Sequence, residues 1–286
     1  MTAQSKTRAL VLGGGGVAGI AWETGLLLGL SDAGIDLTNA DRVIGTSAGS
    51  AVGAQLTTGV PLAELYQRQL APPSPSATSP KVNMAEMIAE LGAILMGPSV
   101  GVDRTKAIGA YALAAETGPE VQRRKEIAAR LPIQAWPSRG LEITAIDANT
   151  GELRIFTPAD DGDVELVDAV AASCAVPGIR PPVTIGATRY VDGGVRTTTN
   201  YDLALGADVV LVIAPMIDLP TNDPELISRR EQLAASASLL TITPDEASVA
   251  AIGTNPLDLA TARPCALAGR AQAAAVADDV AKIWRG

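Results

Sequence analysis

RVIGTSAGSAVGAQL, residues 42–56, carries the stretch that decides the fold. Its apolar start ends a short strand, and its small, apolar second half suits a buried helix. Between them Gly45-Thr46-Ser47-Ala48-Gly49 has the form G-x-S-x-G. Small neighbours on both sides of the serine permit a sharp, strained turn that lifts the hydroxyl into the open. The turn also places it at a helix N-terminus, where negative charge is favoured.

The same order occurs upstream. RALVL, residues 8–12, is a continuous apolar run stopped by glycine, as expected of a strand in a parallel sheet covered on both faces. GGGGVAG (13–19) follows, and then IAWETGLLLGL (20–30), a helix that tolerates Gly25 and Gly29 where close packing needs them. Downstream, strands are expected at LEITAID (141–147), LRIFT (153–157), ATRYVDGG (187–194) and DVVLVIAP (208–215). Helices are expected at VELVDAVAASCA (164–175) and AGRAQAAAVADDVAKIW (268–284). This alternation predicts an α/β fold, a three-layer α/β/α domain with a central, mostly parallel sheet. The reading treats 1–286 as a single domain, with functional residues on turns at one edge of the sheet.

Residues 71–80, APPSPSATSP, cannot continue a helix, because proline removes backbone donors and fixes φ. Beyond them Met84, Met87, Ile88, Leu91, Ile94 and Leu95 recur at the spacing of one helical stripe. The stripe fits core packing first. A lid or cover over a pocket, within 71–110, is the second reading.

Charge and composition exclude several classes. Lys and Arg number 22 against 31 Asp and Glu, a net charge of −9, so sequence-independent binding to nucleic-acid phosphates is not expected. The basic run Arg123 to Lys125 reads as a solvated helix face. Cys174 and Cys265 have no metal-ligand spacing and the chain has no histidine, so no metal or other cofactor is expected. No run reaches ~18 uninterrupted apolar residues and the N-terminus lacks a secretory pattern, so a cytoplasmic location is expected, with peripheral membrane contact left open.

The chemistry concentrates in three places. Glycines between a strand and a helix let the backbone approach a ligand, and the free N–H groups of the helix's first turn favour an anion. Gly14, Gly16 and Gly19 fit G-x-G-x-x-G, so the loop suits either a nucleotide pyrophosphate or the oxyanion of acyl transfer. Against the nucleotide, the second strand ends in Gly45 and the serine turn rather than in an acidic residue, and Asp36 precedes that strand. No Lys-Ser or Lys-Thr follows the glycines, which excludes a Walker loop. Ser47 needs a base, and without histidine the candidate is a carboxylate or, second, a lysine. Asp192 in YVDGG follows a short strand and precedes Gly193 and Gly194. Desolvation in such a turn would raise its pKa toward that of a working general base.

In this order the residues resemble the patatin-like phospholipase family, which carries a glycine-rich oxyanion loop, a G-x-S-x-G serine and a D-G-G or D-G-A aspartate. AVAASCAVPGIRPPVTIGATRYVDGG (169–194) is similar to that family's lead-in to its aspartate, through its Ala-Ser, Val-Pro and Pro-Pro steps. The resemblance implies a Ser-Asp dyad of Ser47 and Asp192, with the N–H groups of Gly14, Gly15 and Gly16 around the oxyanion. It implies hydrolysis of a lipid or other acyl ester without a metal. Ala18 stands where the family often has Arg or Lys, and Arg180 replaces its usual Phe before the Pro-Pro pair. Two rival readings stay open: a lipid- or acyl-binding protein without turnover, and a nucleotide-binding protein.

Overall fold

The computed structural model describes residues 6–73, 84–138 and 140–285. Most of the proline-rich stretch, and the side chains of Met84, Met87 and Ile88, lie outside the described residues. In chain order the first elements are β1 (Arg8–Leu12), α1 (Gly16–Asp32), β2 (Arg42–Thr46), α2 (Ala48–Thr57), α3 (Leu62–Leu70) and α4 (Met84–Leu95). Next come α5 (Gly101–Ala114), α6 (Glu120–Arg130), β3 (Gly140–Asp147), β4 (Leu153–Phe156), α7 (Leu166–Ser173), β5 (Val183–Ile185) and β6 (Thr188–Asp192). The chain closes through β7 (Val209–Ile213), α8 (Pro224–Ser236), β8 (Ser238–Ile242), α9 (Glu246–Ile252) and α10 (Ala262–Arg285).

The strands form one sheet, paired in the order β5, β6, β3, β2, β1, β7, β8, with β4 also on β3. From β3 to β8 the pairs are parallel, while β4, β5 and β6 join antiparallel. The mostly parallel α/β architecture expected from the sequence is therefore present. Strand alternation divides the core: Leu10 and Leu12 face the apolar cluster that holds α1, α2 and α7, whereas Ala9 and Val11 face one containing Leu203, Ala204 and Leu233. Helical layers on both faces explain why β1 reads as an uninterrupted apolar run.

Close packing sets two glycines. A Cβ on Gly25 would lie 2.2 Å from the carbonyl oxygen of Ala266, because α10 runs along α1 at backbone contact. One on Gly49 would lie 2.0 Å from the carbonyl oxygen of Leu12, where α2 seats on β1. Gly49→Ala must push the helix carrying the G-x-S-x-G turn off the strand. Such overpacking is expected to lower unfolding free energy by about 1–3 kcal/mol or more. Urea denaturation reads this directly, and unchanged stability would contradict the backbone contact.

The register on β3 positions the site. β4 takes Ile143 to Ile146 of β3, overlapping both the β2 pairing, which ends at Thr46 opposite Thr144, and the β6 pairing, which begins at Asp192 opposite Ala145. A strand has two edges, so β2 and β6 share the one opposite β4. The two meet end to end, and the residue after Thr46 arrives beside Asp192.

Candidate active site

Ser47 occupies the turn between β2 and α2 with φ 53° and ψ −114°, a left-handed conformation uncommon outside glycine. Conformations of this kind persist only where the surroundings hold them. Here the Ser47 N–H donates to Ser173 Oγ at 2.9 Å, and the Ser47 carbonyl accepts from Ser50 Oγ at 2.6 Å and from Cys174 Sγ at 3.2 Å. The Ser47 hydroxyl donates to Asp192 Oδ2 at 2.7 Å. The other carboxylate oxygen, Oδ1, accepts from the Gly194 N–H at 2.8 Å.

Asp192 is 4% exposed, at the end of β6. Burial raises its pKa from 3.8 to about 6, against the opposing pull of the Ser47 and Gly194 hydrogen bonds and the charge of Arg123. At neutral pH the group is mostly ionised, yet basic enough to accept a proton from a hydroxyl as it attacks.

The glycine loop lies against the serine. A Cβ on Gly14 would sit 3.5 Å from Ser47 Cβ, and Gly16 lines the same pocket as Ser47. The three expected oxyanion donors are not equivalent. The Gly14 N–H donates to the Thr198 carbonyl at 2.7 Å, so it is already satisfied, and the expectation for this residue is corrected. Gly15 caps α1 and Gly16 begins it, positions whose N–H groups have no acceptor within the helix. Neither N–H donates a hydrogen bond among the described residues. Of the remaining motif glycines, Gly19 donates to the Gly15 carbonyl at 2.8 Å and Gly49 to the Gly13 carbonyl at 2.9 Å, which fixes the loop against the serine turn. A Cβ on Gly45 would strike the Gly49 carbonyl oxygen at 2.6 Å, and one on Gly193 would strike Thr144 Oγ1 at 2.2 Å.

A polar network beneath the site was not foreseen from the sequence. Asn200, itself at φ 52°, donates through Nδ2 to Thr46 Oγ1 at 3.1 Å, to the Gly193 carbonyl at 3.1 Å and to the Thr197 carbonyl at 2.9 Å. Thr46 and Thr144 hydroxyls bond each other at 2.8 Å. One buried amide thus ties the serine turn to the aspartate turn. Ser173 was legible only as part of the Ala-Ser step, with no indication that it holds the serine backbone.

The pocket at Ser47 has a narrow volume of about 30 Å³ and is walled by Val17, Ile20, Val176, Leu257 and Leu259 on its apolar side. Val17, Ile20, Arg130 and Leu259 also line a wider groove of about 500 Å³. The basic run reads differently in space: Arg123 is buried on the pocket wall, and Arg124 pairs with Glu165 and Asp168. The solvated-face reading therefore fails for Arg123, which α6 turns toward the site, and holds for Arg124, paired at the surface, and for exposed Lys125. No helix among the described residues is long and apolar enough to cross a membrane.

Fold and site together define a three-layer α/β protein with a G-x-S-x-G serine at the end of a parallel strand. A family model described as Patatin-like phospholipase matches residues 10–205, and the chain belongs to that family. Membership supports a lipid-hydrolase function. Among solved structures, VipD from Legionella pneumophila is similar at 13% identity over 97% of this chain and 68% of that one, with a TM-score of 0.49. The ExoU–SpcU complex of the Pseudomonas aeruginosa type III secretion system matches at 18% identity over 99% and 53%, TM-score 0.44. Human GIVD cytosolic phospholipase A2, in complex with methyl gamma-linolenyl fluorophosphonate, matches at 11% over 98% and 59%, TM-score 0.43. The chain spans between about half and two thirds of these structures.

Proposed function

We propose that the chain is a serine acyl-ester hydrolase acting on lipid esters, of the phospholipase A, lysophospholipase or esterase kind, with Ser47 as nucleophile and Asp192 as general base. The observation that carries this reading is the 2.7 Å hydrogen bond from the Ser47 hydroxyl to a buried carboxylate in a chain without histidine.

Asp192 takes the hydroxyl proton as Ser47 Oγ attacks the ester carbonyl carbon. The carbonyl oxygen becomes an alkoxide, held by the N–H groups of Gly15 and Gly16, each supplying on the order of 3 kcal/mol. Collapse breaks the bond to the alcohol oxygen, which leaves with the proton from Asp192, and the acyl group remains on Ser47. Water then gives a proton to Asp192 and attacks the acyl-enzyme. The second intermediate expels Ser47 Oγ, which recovers its proton, and the fatty acid departs.

A single hydrolase domain belongs to the same proposal, and the cover expected within 71–110 lies partly outside the described residues. Met96, Ile217 and Leu219 are exposed and suit peripheral contact with a lipid surface. The test is covalent capture. An alkyl fluorophosphonate should add once per chain, on the tryptic peptide bearing Ser47, and adduct found only on other peptides would overturn the assignment.

A further inference from the structure

Three arginines converge beside Ser47 from two parts of the chain. Arg123 and Arg130 come from α6 and Arg180 from the turn after α7, and all three line the pocket that opens on the serine, which no acidic side chain lines. Arg123 is 6% exposed, and its Nε has no hydrogen-bond partner among the described residues. Glu126 Oε2 accepts from Arg123 at 3.1 Å and from Arg180 at 3.3 Å, while Arg130 makes no ion pair among the described residues. Two guanidinium groups thus share one carboxylate and the third has none, so that even with Asp192, whose charge Arg123 also faces, this wall keeps a net positive charge in a chain whose net charge is −9.

Clustering buried like charges is unfavourable unless something anionic completes the set. Burial and the neighbouring Arg123 push the pKa of Arg180 down to about 10. Guanidinium forks match phosphate oxygens in a bidentate geometry, and partial burial strengthens such bonds relative to water. The pocket offers no aromatic face to a quaternary ammonium group.

We infer that Arg123, Arg130 and Arg180 form a phosphate subsite that selects acyl esters whose alcohol part carries a net negative phosphate, over zwitterionic and uncharged esters. The inference rests on the reading of Ser47 as an acyl-ester nucleophile and narrows its substrate class. A phosphate on these arginines sits in the pocket of the nucleophile, with the acyl chain left to the apolar side.

Two measurements test it. In the first, the full Ser47→Ala chain is titrated by calorimetry with octyl phosphate, octanol and inorganic phosphate. Octyl phosphate should bind at least about tenfold tighter than octanol, since each charge-assisted hydrogen bond is worth more than a factor of ten. The preference should disappear in a chain that also carries Arg130→Gln and Arg180→Gln. Equal affinity for octyl phosphate and octanol overturns the subsite. Inorganic phosphate binding as tightly as octyl phosphate marks a free-anion site and overturns the substrate assignment.

In the second, the unmutated chain hydrolyses lysophosphatidate, lysophosphatidylcholine and monoacylglycerol of one acyl length. The kcat/KM ratio of the first to each of the others should be about ten or more, collapse toward one in Arg180→Gln, and recover partly in Arg180→Lys. A ratio near one in the unmutated chain, or one indifferent to these variants, overturns the proposal. Loss of fold lowers all three rates together and does not move the ratio. The binding measurement needs no turnover, so a chain that prefers octyl phosphate but hydrolyses no ester keeps the subsite and refutes the hydrolase reading.

Discussion

Ser47→Ala is expected to lower kcat/KM for acyl esters by at least about 10⁴-fold, since removing a nucleophile leaves only the catalysis of the oxyanion donors and binding. No neighbouring group is placed to substitute. Ser50 Oγ is spent on the Ser47 carbonyl, and Ser173 Oγ accepts the Ser47 N–H. Cys174 is buried with its thiol aimed at the Ser47 carbonyl, and burial pushes its pKa up, away from the reactive thiolate. The substitution removes one hydroxyl whose hydrogen bond goes to Asp192, so the fold should survive it. Chromogenic esters over a range of chain lengths give the measurement. A loss smaller than about tenfold would mean that turnover uses another group.

Asp192→Asn should reduce turnover by about 10²–10⁴-fold, the range a general base supplies, while making the protein more stable at neutral pH. The folded-state pKa of Asp192 is raised, so between pH 3.8 and about 6 the native state binds more protons than the unfolded chain. Stability from this group is therefore full below about pH 4 and is lost as pH rises through about 6. The loss is on the order of 3 kcal/mol, following from the size of the shift. Asparagine does not titrate, so the variant's advantage over the unmutated chain should grow from pH 4 to pH 7. Glu23, fully buried on α1 and pushed well above the usual carboxylate range by burial, acts in the same direction in both proteins and cancels in the difference. Urea unfolding of both proteins at the two pH values checks this, and a pH-independent difference would contradict a buried, destabilised carboxylate.

The legible parts of this fold are those written locally. Arg8–Leu12 and the run through Ile44 read as strands because both faces of each are covered, and the glycines mark where each turns into a helix. β5 has three residues and β8 mixes exposed with half-buried positions, so neither carries a pattern that periodicity can find. Ser47 was visible from its turn. Asp192 emerged from the missing histidine and from Asp-Gly-Gly, but its distance from Ser47 is set by the end-to-end meeting of β2 and β6 on β3, which no local pattern encodes. The same holds for Asn200 and for the Gly14 N–H, whose acceptor at Thr198 is remote in sequence. Arg123 was misread for a related reason: a charge run shows composition, while burial depends on which way α6 faces.

The most direct test of the Ser47–Asp192 pairing is the rate at which an alkyl fluorophosphonate labels Ser47, followed from pH 4 to 9 in the unmutated chain and in Asp192→Asn. The unmutated rate should climb about tenfold per pH unit below about 6 and level off above it, as the carboxylate ionises. The variant should label far more slowly, with no inflection near that pH. Equal labelling rates in the two proteins across the range would contradict activation of the serine by this aspartate.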